Sequence, residues 1–250
     1  MLDHYPREGS AAMTSHVARS IDAITSEARR LRLSSPDRRK RQALSRAANN
    51  PSVQVHFFET LTPTVAYVLG FIWVRGRVQT RPRHILCLRC PTAEEDVLLA
   101  VRNQLGSHHR VQRCQSHTIC KVCSYWLVEG LLKKYGSPPC RANPDPPLPP
   151  VPAAYVPDLA RGLLAGAGSV TDSRITWAGT ARAMGELEAL IRAATGISSP
   201  EKERRGKSHS LSWHTPDELR TLWEWLRLGM PALAEDASTR NSLSSLPGAL

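Results

Sequence analysis

"LARGLLAGAGSV", residues 159–170, is the stretch on which the reading of this chain turns. An arginine precedes the first glycine, small residues recur at Gly162, Ala165, Gly166 and Ala167, and Gly168 leads into a strand-like Ser169-Val170. A helical backbone free of bulky side chains lets another backbone approach closely. The shape occurs twice. Sliding the chain by 92 positions lays "LGFIWVRGRV" (69–78) on "RGLLAGAGSV" (161–170), matching Gly70 with Gly162, Gly76 with Gly168 and Val78 with Val170. "SHTICKVC" (116–123) falls on "SHSLSWHT" (208–215), and Leu105-Gly106 falls on Thr195-Gly196 after a two-residue deletion. Agreement at separate places with nearly one offset reads as an internal duplication.

Both copies predict the same order of elements. A helix (63–74 and 155–166) runs into a strand pair (76–90 and 168–179). A second helix follows, "AEEDVLLAVRNQLG" or "RAMGELEALIRAATG", identified by apolar spacing at i, i+3 and i+4 and closed by Gly106 or Gly196. Then come a second hairpin (109–123 and 200–214) and a third helix, "YWLVEGLLKKYG" or "PDELRTLWEWLRLG". The expected fold class is α+β, with two pseudo-symmetric αββαββα repeats and a four-stranded antiparallel sheet in each. Trp213, Trp223 and Trp225 read as core residues of the second repeat.

The rest of the chain surrounds these copies. Residues 1–60 read as a basic arm, 61–137 as the first repeat, 138–154 as a linker, 155–229 as the second repeat and 230–250 as a disordered tail of low complexity. In the arm, Val17, Ile21, Ile24, Ala28 and Leu31 share one face of a helix expected at 17–32, and "DRRKRQALSRAA" suggests another. Eight Arg or Lys between 28 and 46 suit either a solvated tail or a grip on phosphates. The stretch 137–157 contains nine prolines. It reads as a semi-rigid polyproline II spacer, whose reach at about 3.1 Å per residue is roughly 65 Å.

Composition narrows the function. An apolar fraction of 41% over 250 residues excludes a wholly disordered chain, and a net charge of +11 attracts polyanions. Arginine supplies 27 of the 33 basic residues. Its planar fork holds two phosphate oxygens at once, which favours nucleic acid over an acidic membrane surface. The amino-terminal "MLDHYPREGS" lacks the apolar centre of a signal peptide, and the nearly uncharged run 61–74 is too short to span a bilayer. A soluble, cytoplasmic protein is therefore expected, with its six cysteines as thiols or metal ligands rather than disulfides.

On these residues the chain resembles the single-chain LAGLIDADG homing endonucleases, with "LGFIWVRG" (69–76) and "RGLLAGAG" (161–168) as the two name-giving helices. The segment "VCSYWLVEGLLKKYG" followed by "PPVPAAYVPDLARGLL" is similar to the one that joins their halves. The resemblance implies a monomer with internal pseudo-twofold symmetry. Its two motif helices would cross at the axis, packed through Gly70, Gly162, Ala165 and Gly166, and its two sheets would form a saddle over the major groove of double-stranded DNA.

Strand alternation nominates the side chains that would meet that DNA. In "RGRVQTRPR" the residues Arg75, Arg77, Gln79, Arg81 and Arg83 alternate with Gly76, Val78, Thr80 and Pro82, and period-two spacing puts them on one face. Arg89, Arg113 and Lys121 add to the first half, and Lys202, Arg204, Arg205 and Lys207 to the second.

The resemblance also implies a hydrolytic centre, in which each motif helix ends in an acid that helps hold Mg²⁺ for phosphodiester cleavage. Those acid positions fall on Arg75 and Ala167, and the earlier acidic positions on Trp73 and Ala165; none is a carboxylate. Magnesium needs hard oxygen ligands, so no metal cofactor and no efficient cleavage are expected. Asp158 and Asp172 are near in sequence but are expected not to reach the axis. The leading reading is a DNA-binding, non-catalytic relative of these nucleases, a mobile-element relic or a regulator. An endonuclease with displaced ligands is the enzymatic alternative.

Cysteine spacing supports a third reading. "CLRC" (87–90) and "CKVC" (120–123) have the spacing of a zinc ribbon. Both pairs fall in or beside expected strands, and the second copy carries Ser212 and Thr215 at the positions of Cys120 and Cys123. Cys114, Cys140, His108 and His109 have no recognised ligand spacing. Zinc therefore stays the lesser alternative.

Overall fold

A computed structural model describes residues 17, 20–31, 53–206 and 208–227. The chain divides into two units, Met1–Pro51 and Ser52–Leu250. The described part of the first is centred on helix α1 (Ile21–Arg30). The Ser20 hydroxyl accepts from the Ala23 amide at its start, and Glu27 pairs with Arg30 one turn on. Of the apolar face expected here, Ile24 and Ala28 are buried, while Ile21 and Leu31 are exposed. The second helix expected in the arm and the tail 230–250 lie outside the described residues.

The second unit contains both repeats. Thr62 accepts from the Val65 amide and Pro63 occupies the first turn, fixing the start of helix α2 (Pro63–Arg75). Gly76 carries the chain straight into a hairpin, β1 (Gly76–Gln79) and β2 (Ile85–Pro91). A 3-10 turn, Thr92–Glu94, opens helix α3 (Glu95–Gln104), followed by β3 (Val111–Arg113), β4 (His117–Cys123) and helix α4 (Tyr125–Tyr135). The second repeat reproduces the order with α5 (Val156–Ala167), β5 (Gly168–Thr171), β6 (Arg174–Gly179), α6 (Ala181–Thr195), β7 (Glu201–Arg205), β8 (Ser208–Trp213) and α7 (Pro216–Arg227). Each repeat forms one antiparallel four-stranded sheet, in the orders β1-β2-β4-β3 and β5-β6-β8-β7. The fold is α+β, with two αββαββα repeats.

Helices α2 and α5 pack against each other through their glycines. A Cβ on Gly70 would collide with the Leu159 carbonyl oxygen, and one on Gly162 with the Tyr67 carbonyl oxygen. These collisions are reciprocal: the spacing that carries Gly70 to Gly162 also carries Tyr67 to Leu159. Gly166 meets Val74 and Arg75 in the same seam, whereas Ala165 is only half-buried. Under the helices lie the inner faces of the sheets, Leu86, Leu88, Cys120 and Val122 in one and Ile175, Trp177, Leu211 and Trp213 in the other. Each such side chain contributes roughly 1.5–3 kcal/mol by leaving water. Trp177 and Trp213 meet edge to face with centroids 5.6 Å apart, and the Trp177 indole donates to the Ala160 carbonyl at 2.9 Å. Trp225 is buried and Trp223 packs partly against the same core.

The ladders correct the sequence register in one place. Gly76 pairs with Leu88 and Gly168 with Trp177; Leu88 then pairs with Cys120, and Trp177 with Leu211. Cys120 thus corresponds to Leu211 rather than Ser212, and Cys123 to His214 rather than Thr215. The repeated Ser-His dipeptide suggested a register one residue off. The hairpins differ too: residues 80–84 join β1 to β2, through a cis Arg81-Pro82 bond, whereas Asp172-Ser173 alone join β5 to β6.

The proline-rich stretch is docked rather than extended as a spacer. The Trp73 indole donates to the Pro147 carbonyl at 2.8 Å, the Leu148 amide donates to Glu186 at 2.7 Å, and the Arg182 amide donates to Asp145 at 2.9 Å. Leu148 is buried in the core. An apolar side chain among prolines has a packing site to gain, and the short acceptors around it hold the strap in place.

Candidate nucleic-acid interface

Helices cover one face of each sheet; the other is open. Strand parity sorts the side chains between them. In the first sheet, Leu86, Leu88, Cys90, Thr118, Cys120 and Val122 are buried beneath the helices. On the open face, one row joins Arg77, Cys87 and Lys121 across three strands, and the next joins Arg89, Ile119 and Gln112. Gln79, Ile85 and Cys123 make a third. Arg77, Gln79, Arg89, Gln112 and Lys121 are exposed, around a half-buried centre of Ile85, Cys87 and Ile119. Arg77 and Lys121 stand two strand spacings apart, about 10 Å. This is comparable to the width of a major groove, about 12 Å.

The three cations converge on the Cys87 thiol. Burial raises its pKa above the ordinary value, opposed by the positive charges of Lys121, Arg77 and Arg89. No acid occupies an open-face position of this sheet. Arg89 also reaches His117 Nδ1 at 3.2 Å. Arg81 and Arg83 are exposed but lie in the loop beyond β1, where the Gln79 side-chain Nε2 donates to the Arg81 carbonyl at 2.7 Å. The alternating face expected from Arg75 to Arg83 therefore extends along the strand only through Arg77 and Gln79, because β1 ends there.

Other candidates sit elsewhere. Arg113 pairs with Thr118, a helix-side position, and its guanidinium makes two bonds of 2.6 and 2.7 Å to Glu95. That bond is the main cause holding the Glu95 carboxyl below its usual pKa. Lys202 pairs with Leu211 on the helix side of the second sheet and bridges to Glu188 at 2.6 Å. Arg204 shares that parity and donates to the Gly206 carbonyl at 3.1 Å. Arg205 pairs with Ser208 in the ladder, and Lys207 lies outside the described residues. Sequence reasoning missed Arg174, Gln112 and the hydroxyls of the second open face. Strand parity around Trp177 and Leu211 would have found the last.

The open face of the second sheet is chemically different. Its rows carry Ser169, Thr176, Ser212 and Glu201, then Ala178, Ser210 and Glu203, with Thr171 opposite Arg174 and Ser208 opposite Arg205. Thr176 and Ser212 hydrogen-bond each other at 2.9 Å, and Arg174 bridges to Glu201 at 3.2 Å.

At the end of the motif helices, the acid positions implied by the family resemblance do not fit a divalent ion. The Ala167 side chain offers no donor atom. The Arg75 guanidinium donates to the Gly166 carbonyl of the opposite helix and pairs with Glu94 at 3.1 Å. A positive charge therefore fills this corner, held by the carboxylate nearest to it. Asp172 lies in the β5–β6 turn. Asp158 is buried near the start of α5, where burial raises its carboxyl pKa against the opposing charge of Arg161. Arg161 pairs with Asp158 and also donates to the Leu226 carbonyl, tying α5 to α7.

The cysteine pairs are split by parity. A spacing of three along a strand sends its two ends to opposite faces. Cys90 and Cys120 are buried inside, where the removal of water pushes both thiols up to about 11, while Cys87 and Cys123 lie on the open face. Among the described residues, no three or more His, Cys, Asp or Glu are grouped to hold a metal ion. No helix among them is long and apolar enough to cross a membrane.

No family model matches the sequence, and no curated protein matches it. Solved structures with a similar backbone include full-length DUF199/WhiA from Thermatoga maritima, at 13% identity and a TM-score of 0.48, covering 80% of this chain and 68% of that one. The N-terminal LAGLIDADG domain of DUF199/WhiA is similar at 14% identity and a TM-score of 0.45, covering 71% of this chain and 86% of that one. The LAGLIDADG homing endonuclease I-GzeII, in complex with its DNA target, is similar at 11% identity and a TM-score of 0.46, covering 66% and 84%.

Proposed function

We propose that this chain binds double-stranded DNA through the open faces of its sheets, as a LAGLIDADG-like protein without nuclease chemistry. The observation that carries the reading is the cationic row on the first open face, Arg77 and Lys121 flanking Cys87 with Arg89 beside them and no acid among them. Such a face gains free energy by releasing counterions from a phosphate backbone. The non-catalytic half rests on Arg75 and Ala167, which leave a cation bound to Glu94 and a methyl group where the family resemblance implies ion-holding carboxylates. In this reading, repeats 61–137 and 155–229, joined by 138–154, supply both halves of the interface from one monomer inside the cell, with 1–60 as a basic arm and 230–250 as a tail.

Gel retardation of a duplex across a salt series tests it. Affinity is expected to fall steeply and log-linearly between low and physiological salt, by roughly one power of salt per phosphate contact. Weak, salt-insensitive retention would count against DNA as the partner. A supercoiled plasmid carrying a bound site, incubated with Mg²⁺ or Mn²⁺, should stay uncut; a specific linear product would favour the endonuclease reading. The zinc reading would need one zinc per purified chain, lost on Cys87→Ser or Cys120→Ser.

A further inference from the structure

We infer that the two sheets are unequal partners for DNA: the first grips phosphates over about one helical turn, and the second, whose open-face cations and acids balance, adds little phosphate affinity of its own. The inference rests on the DNA-binding reading above and deepens it. Duplex DNA presents dense negative charge, so each half of a saddle that grips it must offer cations on its open face. The first sheet offers Arg77, Arg89 and Lys121 there, extended by exposed Arg81 and Arg83 in the adjoining loop.

The second sheet withholds them. Of its cationic strand residues, Lys202 and Arg204 occupy helix-side positions, with Lys202 engaged by Glu188, while Arg205, opposite Ser208, takes the open-side register. On the open side, Arg174 is bridged by Glu201, and Glu203 shares the face with Arg205. By register its strand positions carry two cations and two acids, with no net positive charge. Between them lie the hydroxyls of Ser169, Thr171, Thr176 and Ser210, with buried Ser212 bonded to Thr176. Hydroxyls can touch a groove without releasing counterions, so they do not replace the missing cations. The two copies thus differ in the net charge of their open faces.

A duplex selected from a random pool by the wild-type protein, then mapped by hydroxyl-radical cleavage, reads this directly. Protection confined to about 10 bp, one turn, is expected. Replacing Arg77, Arg89 and Lys121 together by Ala should weaken binding more than about 100-fold near 0.1 M salt and lower the log-log salt slope by about three. Arg174→Ala and Arg205→Ala should each change affinity less than about threefold, with an unaltered slope. Two equal protected turns, or a loss from Arg174→Ala matching that from Arg77→Ala, would overturn the inference and leave DNA binding standing. Failure of the wild type to retard any duplex at low salt would instead overturn the DNA-binding reading, and this inference with it.

Discussion

His109 shows how much a single protonation state can hold in this fold. Its Nδ1–H donates to the buried Ser107 hydroxyl at 2.9 Å, and its Nε2 accepts the Cys123 amide at 3.3 Å, joining the start of β3 to the end of β4. Protonation would turn that acceptor into a donor facing another donor, in a half-buried place. Burial accordingly holds the His109 pKa below its ordinary 6.5. The folded state therefore binds this proton less readily than the unfolded chain does. The stability His109 contributes is full above pH 6.5 and is lost as pH falls through the lowered folded value. Urea midpoints of wild type and His109→Asn, compared from pH 7.5 to 5, should converge as the pH drops. A gap that stays constant would mean that the neutral ring is not what the strands depend on.

At the scale of elements, the seam between α2 and α5 is the feature the sequence announced most clearly. Gly70 and Gly162 stand out because close backbone approach leaves no room for a Cβ, and both copies need it at the same step. Gly162→Ala would drive the new methyl into the Tyr67 carbonyl and part the helices, at about 1–3 kcal/mol or more. Gly185, inside α6 with open space around it, predicts the opposite sign. Gly185→Ala should stabilise by about 0.5–1 kcal/mol, since it removes only backbone freedom from the unfolded chain. Thermal melts of the two variants moving in the same direction would contradict this account of the seam.

Element order was legible for the same reason: apolar periodicity and glycine punctuation are local signals. Register was not. The Ser-His repeat aligned β4 and β8 one residue away from their ladders, because identity at two positions carries less weight than which side chains Leu88 and Trp177 oppose. The open face of the sheet was readable where a strand ran uninterrupted, at Arg77 and Gln79. The side of the sheet was not readable at Arg113 and Lys202, which lie on the helix side and pair with Glu95 and Glu188 across space.

For the molecule as a whole, the least legible part is the segment that joins the repeats. Its prolines spoke for extension, and nothing local named the groups that would receive it. Trp73, Glu186 and Arg182 come from both repeats, so the strap is held by one α2 side chain on one side and by α6 on the other. It therefore does more than limit the distance between the copies; it adds core to the unit they share. Leu148 is the test, being buried among residues of that continuous core. Leu148→Ala should cost about 2–4 kcal/mol, as for other buried leucines that leave a partly filled cavity. In a chain of this size that lowers Tm by several degrees, about 2–4 °C per kcal/mol. An inert tether would show no shift. A strap that couples the repeats should lower the single unfolding transition of the pair, whereas one that merely covers the second repeat should split the melt into two steps.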